Sequence, residues 1–139
     1  MATVLISGAG PIGLTMANEL ARYGVSVRIV DKEAHRTDKS KALVLWSRTL
    51  ELLDHGGYAE PFVKAGMQGH GVQISDGTNI VARARLDIMD SRYPYALLIA
   101  QSETERVLEE CLAKRGVKVE RNTTMESFAD KGTGIEAVL

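Results

Sequence analysis

Residues 3–31 read TVLISGAGPIGLTMANELARYGVSVRIVD, and the order of residue types in this stretch decides the fold. Residues 3–7 are a short β-branched and aliphatic run bounded by glycine, the pattern of a strand buried on both faces. The run ends in Gly8-Ala9-Gly10-Pro11-Ile12-Gly13. From 12 to 23 the period becomes helical: Ile12, Met16 and Leu20 fall four apart, beside a parallel stripe of small residues, Gly13, Ala17 and Ala21. That small stripe predicts a helix lying close against a sheet. Gly24 supplies a C-terminal stop, and residues 25–31 alternate Val25, Val27 and Ile29 with Ser26 and Arg28 before reaching Asp31. The first 31 residues therefore spell strand, glycine turn, helix, strand.

Three glycines at this spacing have a chemical reading. Gly8 permits a tight turn, Gly10 lets backbone approach a pyrophosphate, and Gly13 lets the helix pack on its strand, while the helix N-terminus offers free N–H groups to an anion. The motif follows a predicted strand and opens a predicted helix, and an acidic residue ends the next strand about 20 positions on. Asp31 in that place accepts the hydroxyls of an adenosine ribose and repels a 2′-phosphate, which favours FAD or NAD over NADP. The plain structural alternative is a glycine-rich turn with a solvated Asp31.

Beyond Asp31 the pattern changes. Residues 32–41, KEAHRTDKSK, form a polar loop where a doubly wound domain would place another crossover helix. Residues 47–55 read as a helix with Leu50, Leu52 and Leu53 on one side, closed by Gly56-Gly57. Segments 72–75 and 78–84 flank Asp76-Gly77, a hairpin signal, so an antiparallel insertion spans about 71–85. Residues 95–100 are a further strand ending at Gln101, and Ser102-Glu103-Thr104-Glu105 fits a capping box opening a helix. The apolar face of that helix is Val107, Leu108, Cys111 and Leu112, which makes Cys111 a core residue. It stops at Gly116, and 117–121 return as a strand. Residues 123–129 and 135–139 are two more strands, and an ending on a run that reads as buried is what a truncated domain would show.

Composition narrows the class. A chain of 139 residues, 45% of them hydrophobic, is large enough for one compact domain that buries roughly 68–70% of its unfolded surface. Seventeen basic against eighteen acidic residues give a net charge of −1, which argues against nucleic-acid binding. The lone cysteine excludes an internal disulfide, and three scattered histidines, His35, His55 and His70, do not assemble a zinc-type cluster. No signal peptide or run near the ~18 apolar residues of a membrane span is visible, so the expected setting is cytoplasmic.

Three blocks taken together, VLISGAGPIGLTMANELARYGVSVRIVDK, KSKALVLWSRTLELL and PYALLIAQSETERVLEECLAKRGVKVER, resemble the N-terminal part of the FAD-dependent aromatic hydroxylases. These are the single-component flavoprotein monooxygenases related to p-hydroxybenzoate and phenol hydroxylases. The resemblance implies an α/β fold: a Rossmann-like βαβ FAD-binding domain of the glutathione-reductase type with an inserted antiparallel hairpin, in which residues 1–139 are the N-terminal portion. It implies that the glycine loop, Gly8, Gly10 and Gly13 with Pro11 and Ile12 between them, and Asp31 hold the ADP half of FAD. The family's flavin-side glutamine falls on Gln101, at a strand-to-helix junction of the kind where such sheets bind ligands. Where the family carries a pyrophosphate-reaching arginine this sequence has Lys41, which keeps the charge and loses the bidentate fork. Lys32 is a similar candidate, and for both lysines the plain alternative is a solvated loop charge. Arg106 and the Arg48–Glu51 segment also match family blocks, yet surface pairing accounts for them; Trp46 reads as packing and the three histidines as surface residues.

The whole-enzyme activity so implied is hydroxylation of an aromatic, phenolic substrate with O2, FAD being reduced by NADH or NADPH. The cofactor carries the reactive oxygen, so no catalytic side chain is expected within this stretch. Later FAD motifs and the substrate-binding sheet are absent from it, and homo-oligomer formation stays open. Three alternatives remain at this level: an NAD-dependent oxidoreductase domain, which would continue in βαβ units; a related flavoenzyme such as a halogenase; and a shortened non-enzymatic module that binds nucleotide.

Overall fold

The structure is a computed structural model that describes residues 2–36 and 43–139. It divides into two compact units, one of Met1–Asp38 with Glu105–Leu139 and one of Lys39–Thr104.

In the first unit, β1 (Val4–Ser7), α1 (Pro11–Arg22) and β2 (Val27–Val30) follow one another as the opening pattern predicts. β1 and β2 are parallel, in register from Val4 opposite Val27 to Ser7 opposite Val30. β8 (Val119–Glu120) adds on the far side of β2, also parallel, so β2 is central. This arrangement corrects one expectation: β1 is half-buried, because it is an edge of this sheet, and burial concentrates on Ile29 and Val30 of β2.

The small-residue stripe of α1 faces inward as expected. Ala17 is fully buried, and a Cβ placed on Gly13 would overlap the Gly8 carbonyl and press on Ile6 Cγ2 at 3.3 Å. The large residues on the other stripe point away, with Ile12 86% exposed, and Leu14 supplies the helix's main core contact. Gly24 ends the helix with φ +76°, a conformation open to glycine. α1 is tied to α4 (Gln101–Lys114) by the buried Asn18, whose Nδ2 donates to the carbonyls of Leu14 and Leu108, each at 2.9 Å. Asn18 Oδ1 accepts from Arg115 Nη1 at 3.2 Å. The four predicted apolar residues of α4, Val107, Leu108, Cys111 and Leu112, are all buried. The helix starts one residue before the expected cap: the Ala100 carbonyl accepts from the Thr104 N–H at 2.9 Å, which places Ser102 inside the first turn. β9 (Ser127–Asp130) and β10 (Ile135–Val138) form an antiparallel hairpin whose side chains are largely exposed. The apolar final run is therefore not a buried strand, since among the described residues this hairpin is a two-stranded sheet of its own.

In the second unit, β3 (Val44–Leu45), β7 (Ala96–Leu98) and β4 (Met67–Gly69) form an antiparallel sheet with β7 central. α2 (Ser47–His55) has the predicted bounds and buries Leu50 and Leu53, whereas Leu52 is 55% exposed because it falls off the inner face. α3 (Ala59–Ala65), which the sequence reading did not anticipate, packs on α2 and buries Phe62. Trp46 is half-exposed and carries no packing role comparable to these.

The hairpin of β5 (Gly71–Ser75) and β6 (Ile80–Arg85) lies where Asp76-Gly77 predicts one. Its loop is longer than a two-residue turn. Asp76 Oδ1 accepts from the Asn79 N–H at 2.7 Å and the Thr78 N–H at 3.0 Å, Gly77 takes φ +99°, and a register shift follows at Ser75. All strands between β2 and β8 pair antiparallel, so the run of βαβ units that a dehydrogenase domain requires is absent among the described residues. No helix among the described residues is long and apolar enough to cross a membrane.

Candidate functional site

The site is built at the carboxyl ends of β1 and β2, where a parallel sheet presents its loops. Gly8 leaves β1 with φ +104°, and its N–H donates to the Val30 carbonyl at 2.8 Å, which holds the turn over the sheet edge. Gly10 caps α1 with extended backbone and no side-chain hydrogen bond, Pro11 takes the first helical position, and the first intrahelical bond runs from the Leu14 N–H to the Gly10 carbonyl at 2.9 Å. The amides of Ile12 and Gly13 precede that bond, so they lie among the helix-start donors for which the helix supplies no acceptor. No acidic side chain stands in the first turn of α1 to satisfy them or to repel an anion.

The three glycines have separable reasons. Gly8 is needed for its backbone conformation and Gly13 for close packing on the Gly8 carbonyl. At Gly10 an added Cβ would meet no atom within 4 Å and φ is an ordinary −77°. Nothing inside the protein requires glycine there. A cradle that stays open toward the helix N-terminus fits a phosphate group brought against the backbone.

Asp31 follows β2 and its carboxylate turns back onto this loop. Oδ2 accepts from the Ala9 N–H at 2.5 Å and Oδ1 from the Glu33 N–H at 2.8 Å. Two backbone N–H groups thus hold the carboxylate in one orientation, and each oxygen retains a lone pair for a further donor such as a ribose hydroxyl. Beside it, Arg121 Nη1 lies 3.9 Å from Asp31 Oδ2.

A cleft of about 410 Å³ opens next to the loop, lined by Ser7, Gly8, Asp31, Lys32, Glu33 and by Thr123, Thr124 and Met125. The last three arrive because the segment after β8 is stitched to the one after β2. The Asp31 N–H donates to the Glu120 carbonyl and the Thr123 N–H to the Asp31 carbonyl, both at 2.9 Å, and Asn122 turns the chain with φ 54°. The sequence reading did not single out Thr123, Thr124, Met125 or Arg121. The available signal was their place at or just past the end of a strand predicted over 117–121, the same carboxyl edge that presents Gly8 and Asp31.

The first unit brings together Gly8, Gly10, Pro11, Ile12, Gly13, Asp31 and Lys32. Lys32 is exposed, 4.0 Å from Glu33 Oε1, at the rim of the cleft. Gln101 is the first residue of α4 and belongs to the second unit. Lys41 lies outside the described residues. Arg48 pairs with Glu51 at 3.1 Å and Arg106 with Glu110 at 2.7 Å, the surface pairings expected of them, and His35, His55 and His70 are exposed.

A family model described as "FAD binding domain" matches residues 1–139. The chain is 36% identical over 142 residues to pentachlorophenol 4-monooxygenase of Sphingobium chlorophenolicum, covering 99% of this chain and 26% of that protein. An uncharacterized aromatic compound monooxygenase of Bacillus subtilis is 35% identical over 136 residues, covering 96% and 26%. Among solved structures, OxyS anhydrotetracycline hydroxylase from Streptomyces rimosus superposes with a TM-score of 0.84 at 30% identity, over 98% of this chain and 27% of that one. For p-nitrophenol 4-monooxygenase from Pseudomonas putida the TM-score is 0.89 at 24% identity, over 99% and 38%, a likeness of fold. The chain spans about a quarter of the length of the curated relatives it matches.

Proposed function

The chain belongs to the FAD-binding-domain family along its whole length, and from that membership we propose that residues 1–139 are the N-terminal, ADP-holding portion of a flavoprotein monooxygenase acting on an aromatic substrate. The observation that carries the reading is the cradle at Gly10, glycine where the protein itself has no need of one, set at the uncapped start of α1. In this reading Gly8, Gly10 and Gly13 with Pro11 and Ile12 place the first-turn amides against the pyrophosphate of FAD. Asp31 accepts the adenosine ribose hydroxyls through its free lone pairs. Lys32 and Lys41 contribute charge near the pyrophosphate, and Gln101 contacts the flavin side.

The finer architecture belongs to the same proposal: a Rossmann-like domain of the glutathione-reductase type in which the β5–β6 hairpin, about 71–85, is an insertion. Bound FAD supplies the oxygen-transfer chemistry, with NADH or NADPH as reductant, and this chain's residues bind and orient it. The relatives named for pentachlorophenol and for aromatic compounds support an aromatic substrate, and a cytoplasmic setting goes with a nicotinamide reductant.

Titration of the chain with FAD and, separately, NAD tests the assignment through flavin fluorescence and thermal stability. Saturable FAD binding with no response to NAD is the expected result. A response to NAD alone, or FAD binding that survives Gly10→Val unchanged, would refute it.

A further inference from the structure

Arg121 occupies an unusual electrostatic position for a residue that no motif predicts. Its side chain is only 17% exposed and that of Asp31 only 14%. Its Nη1 lies 3.9 Å from Asp31 Oδ2, too far for a hydrogen bond and close enough for an ion pair, and its Nη2 donates to Glu109 Oε2 at 3.1 Å. Arg36 Nη1 reaches the same Glu109 oxygen at 3.3 Å. The guanidinium is thus clamped between a carboxylate on α4 and the carboxylate that turns back onto the glycine loop. With Arg121 removed, Glu109 would keep Arg36 while the Asp31 carboxylate would lose the guanidinium beside it. The Asp31 carboxylate would keep two backbone N–H partners and lose, among the described residues, the cation beside it, in a setting where screening by water is reduced.

We propose that Arg121 is a positioning residue for dinucleotide recognition: held by Glu109, it fixes the Asp31 carboxylate in the orientation that secures the Ala9 and Glu33 amides and presents the remaining lone pairs to the adenosine ribose. The inference rests on the FAD reading for its ligand and on the hydrogen bonds of Asp31 for its geometry. It predicts a selective effect. Ligands that carry the adenosine ribose depend on Arg121, whereas an anion that uses only the helix N-terminus does not.

The test compares the whole chain with its Arg121→Gln and Arg121→Lys variants by three readouts. These are FAD affinity from flavin fluorescence, inorganic pyrophosphate binding from amide shifts in the glycine loop, and hydrogen exchange at the Ala9 and Glu33 amides. In Arg121→Gln, FAD binding weakens about tenfold, the scale of one charged hydrogen bond; pyrophosphate binding holds, and Ala9 and Glu33 exchange faster while Leu112 in the core does not. Arg121→Lys recovers most of the loss. Unchanged Ala9 exchange in Arg121→Gln overturns the proposal, as does an equal loss for FAD and pyrophosphate with faster exchange throughout, which would mark a merely structural residue. If the unmodified chain binds no FAD, the functional reading fails, while the exchange at Ala9 still decides whether Arg121 positions Asp31.

Discussion

The Ala9 N–H donates to Asp31 Oδ2 across 22 residues of sequence, so the acidic residue that ends the βαβ unit also fastens its glycine turn. Asp31 is therefore part of the glycine loop and, under the proposed function, also the acceptor of its ligand's ribose hydroxyls. Asp31→Asn keeps the side chain's shape, but an amide nitrogen cannot accept, so either Ala9 or Glu33 loses its acceptor. The expected cost is about 1–3 kcal/mol of stability, with FAD binding weakened about tenfold. Thermal melting and fluorescence titration of one sample read both effects. Loss of affinity with an unchanged midpoint would assign Asp31 to the ligand alone.

Gly10 and Gly13 separate binding from folding. Gly13→Ala drives a Cβ into the Gly8 carbonyl and should cost about 1–3 kcal/mol, the scale of overpacking. Gly10→Val meets no protein atom within 4 Å, so its stability cost is that of a poorer cap, about 1 kcal/mol or less. It nonetheless abolishes saturable FAD binding by filling the cradle. Urea denaturation beside titration checks the pair, and a stability ranking in the opposite order would contradict the packing argument.

Asn18 joins α1 to α4 through a fully buried amide whose three polar contacts are satisfied within the protein. Asn18→Ala removes them from a dry environment at a cost of about 1–3 kcal/mol. Asn18 stands about two turns along α1 from Gly10 and bonds to Leu14, Leu108 and Arg115, none of them in the loop, so FAD affinity of the folded fraction should stay unchanged. A drop in affinity larger than the unfolded fraction accounts for would show coupling between the helix interface and the loop.

The β5–β6 hairpin should respond to acid. Backbone donors at Asn79 and then Thr78 hold the Asp76 carboxyl below its ordinary 3.8. A depressed folded value means that the turn is stabilised above the unfolded value and loses that contribution as pH falls through the folded one. Relative to the intrinsic rate at each pH, amide exchange at Thr78 and Asn79 should accelerate as pH falls below about 4, ahead of the core. In Asp76→Asn the acceleration should vanish, and its persistence would place the acid sensitivity elsewhere.

Much of this fold is legible in the sequence. The turn at Gly8–Gly13, α1 with its small inner stripe, Asp31 after β2, α2, the hairpin near Asp76-Gly77 and the apolar face of α4 all follow local patterns of period and glycine placement. The misreadings share a cause. Leu52 and the final apolar run looked buried because apolar residues suggest burial, yet Leu52 falls off the inner face of α2 and β10 pairs only with β9. β3, β4 and α3 leave no local signature, because segments of two to seven residues carry too little periodicity to register.

What the sequence by itself determined is the βαβ unit and its glycine-rich helix start, since each depends on residues within one short window: glycine where φ is positive or a backbone is close, alternation for a strand, four-residue spacing for a helix. Only the tertiary structure decided what surrounds Asp31. The Ala9 amide lies 22 residues away, and Glu109, Arg121 and Thr123 to Met125 are about 80 to 95 positions further along the chain. They meet it because β8 pairs with β2 and α4 docks on α1, through Ile29 opposite Val119 and Asn18 bonded to Leu108. Such contacts arise from sheet order and helix packing, which no local pattern encodes.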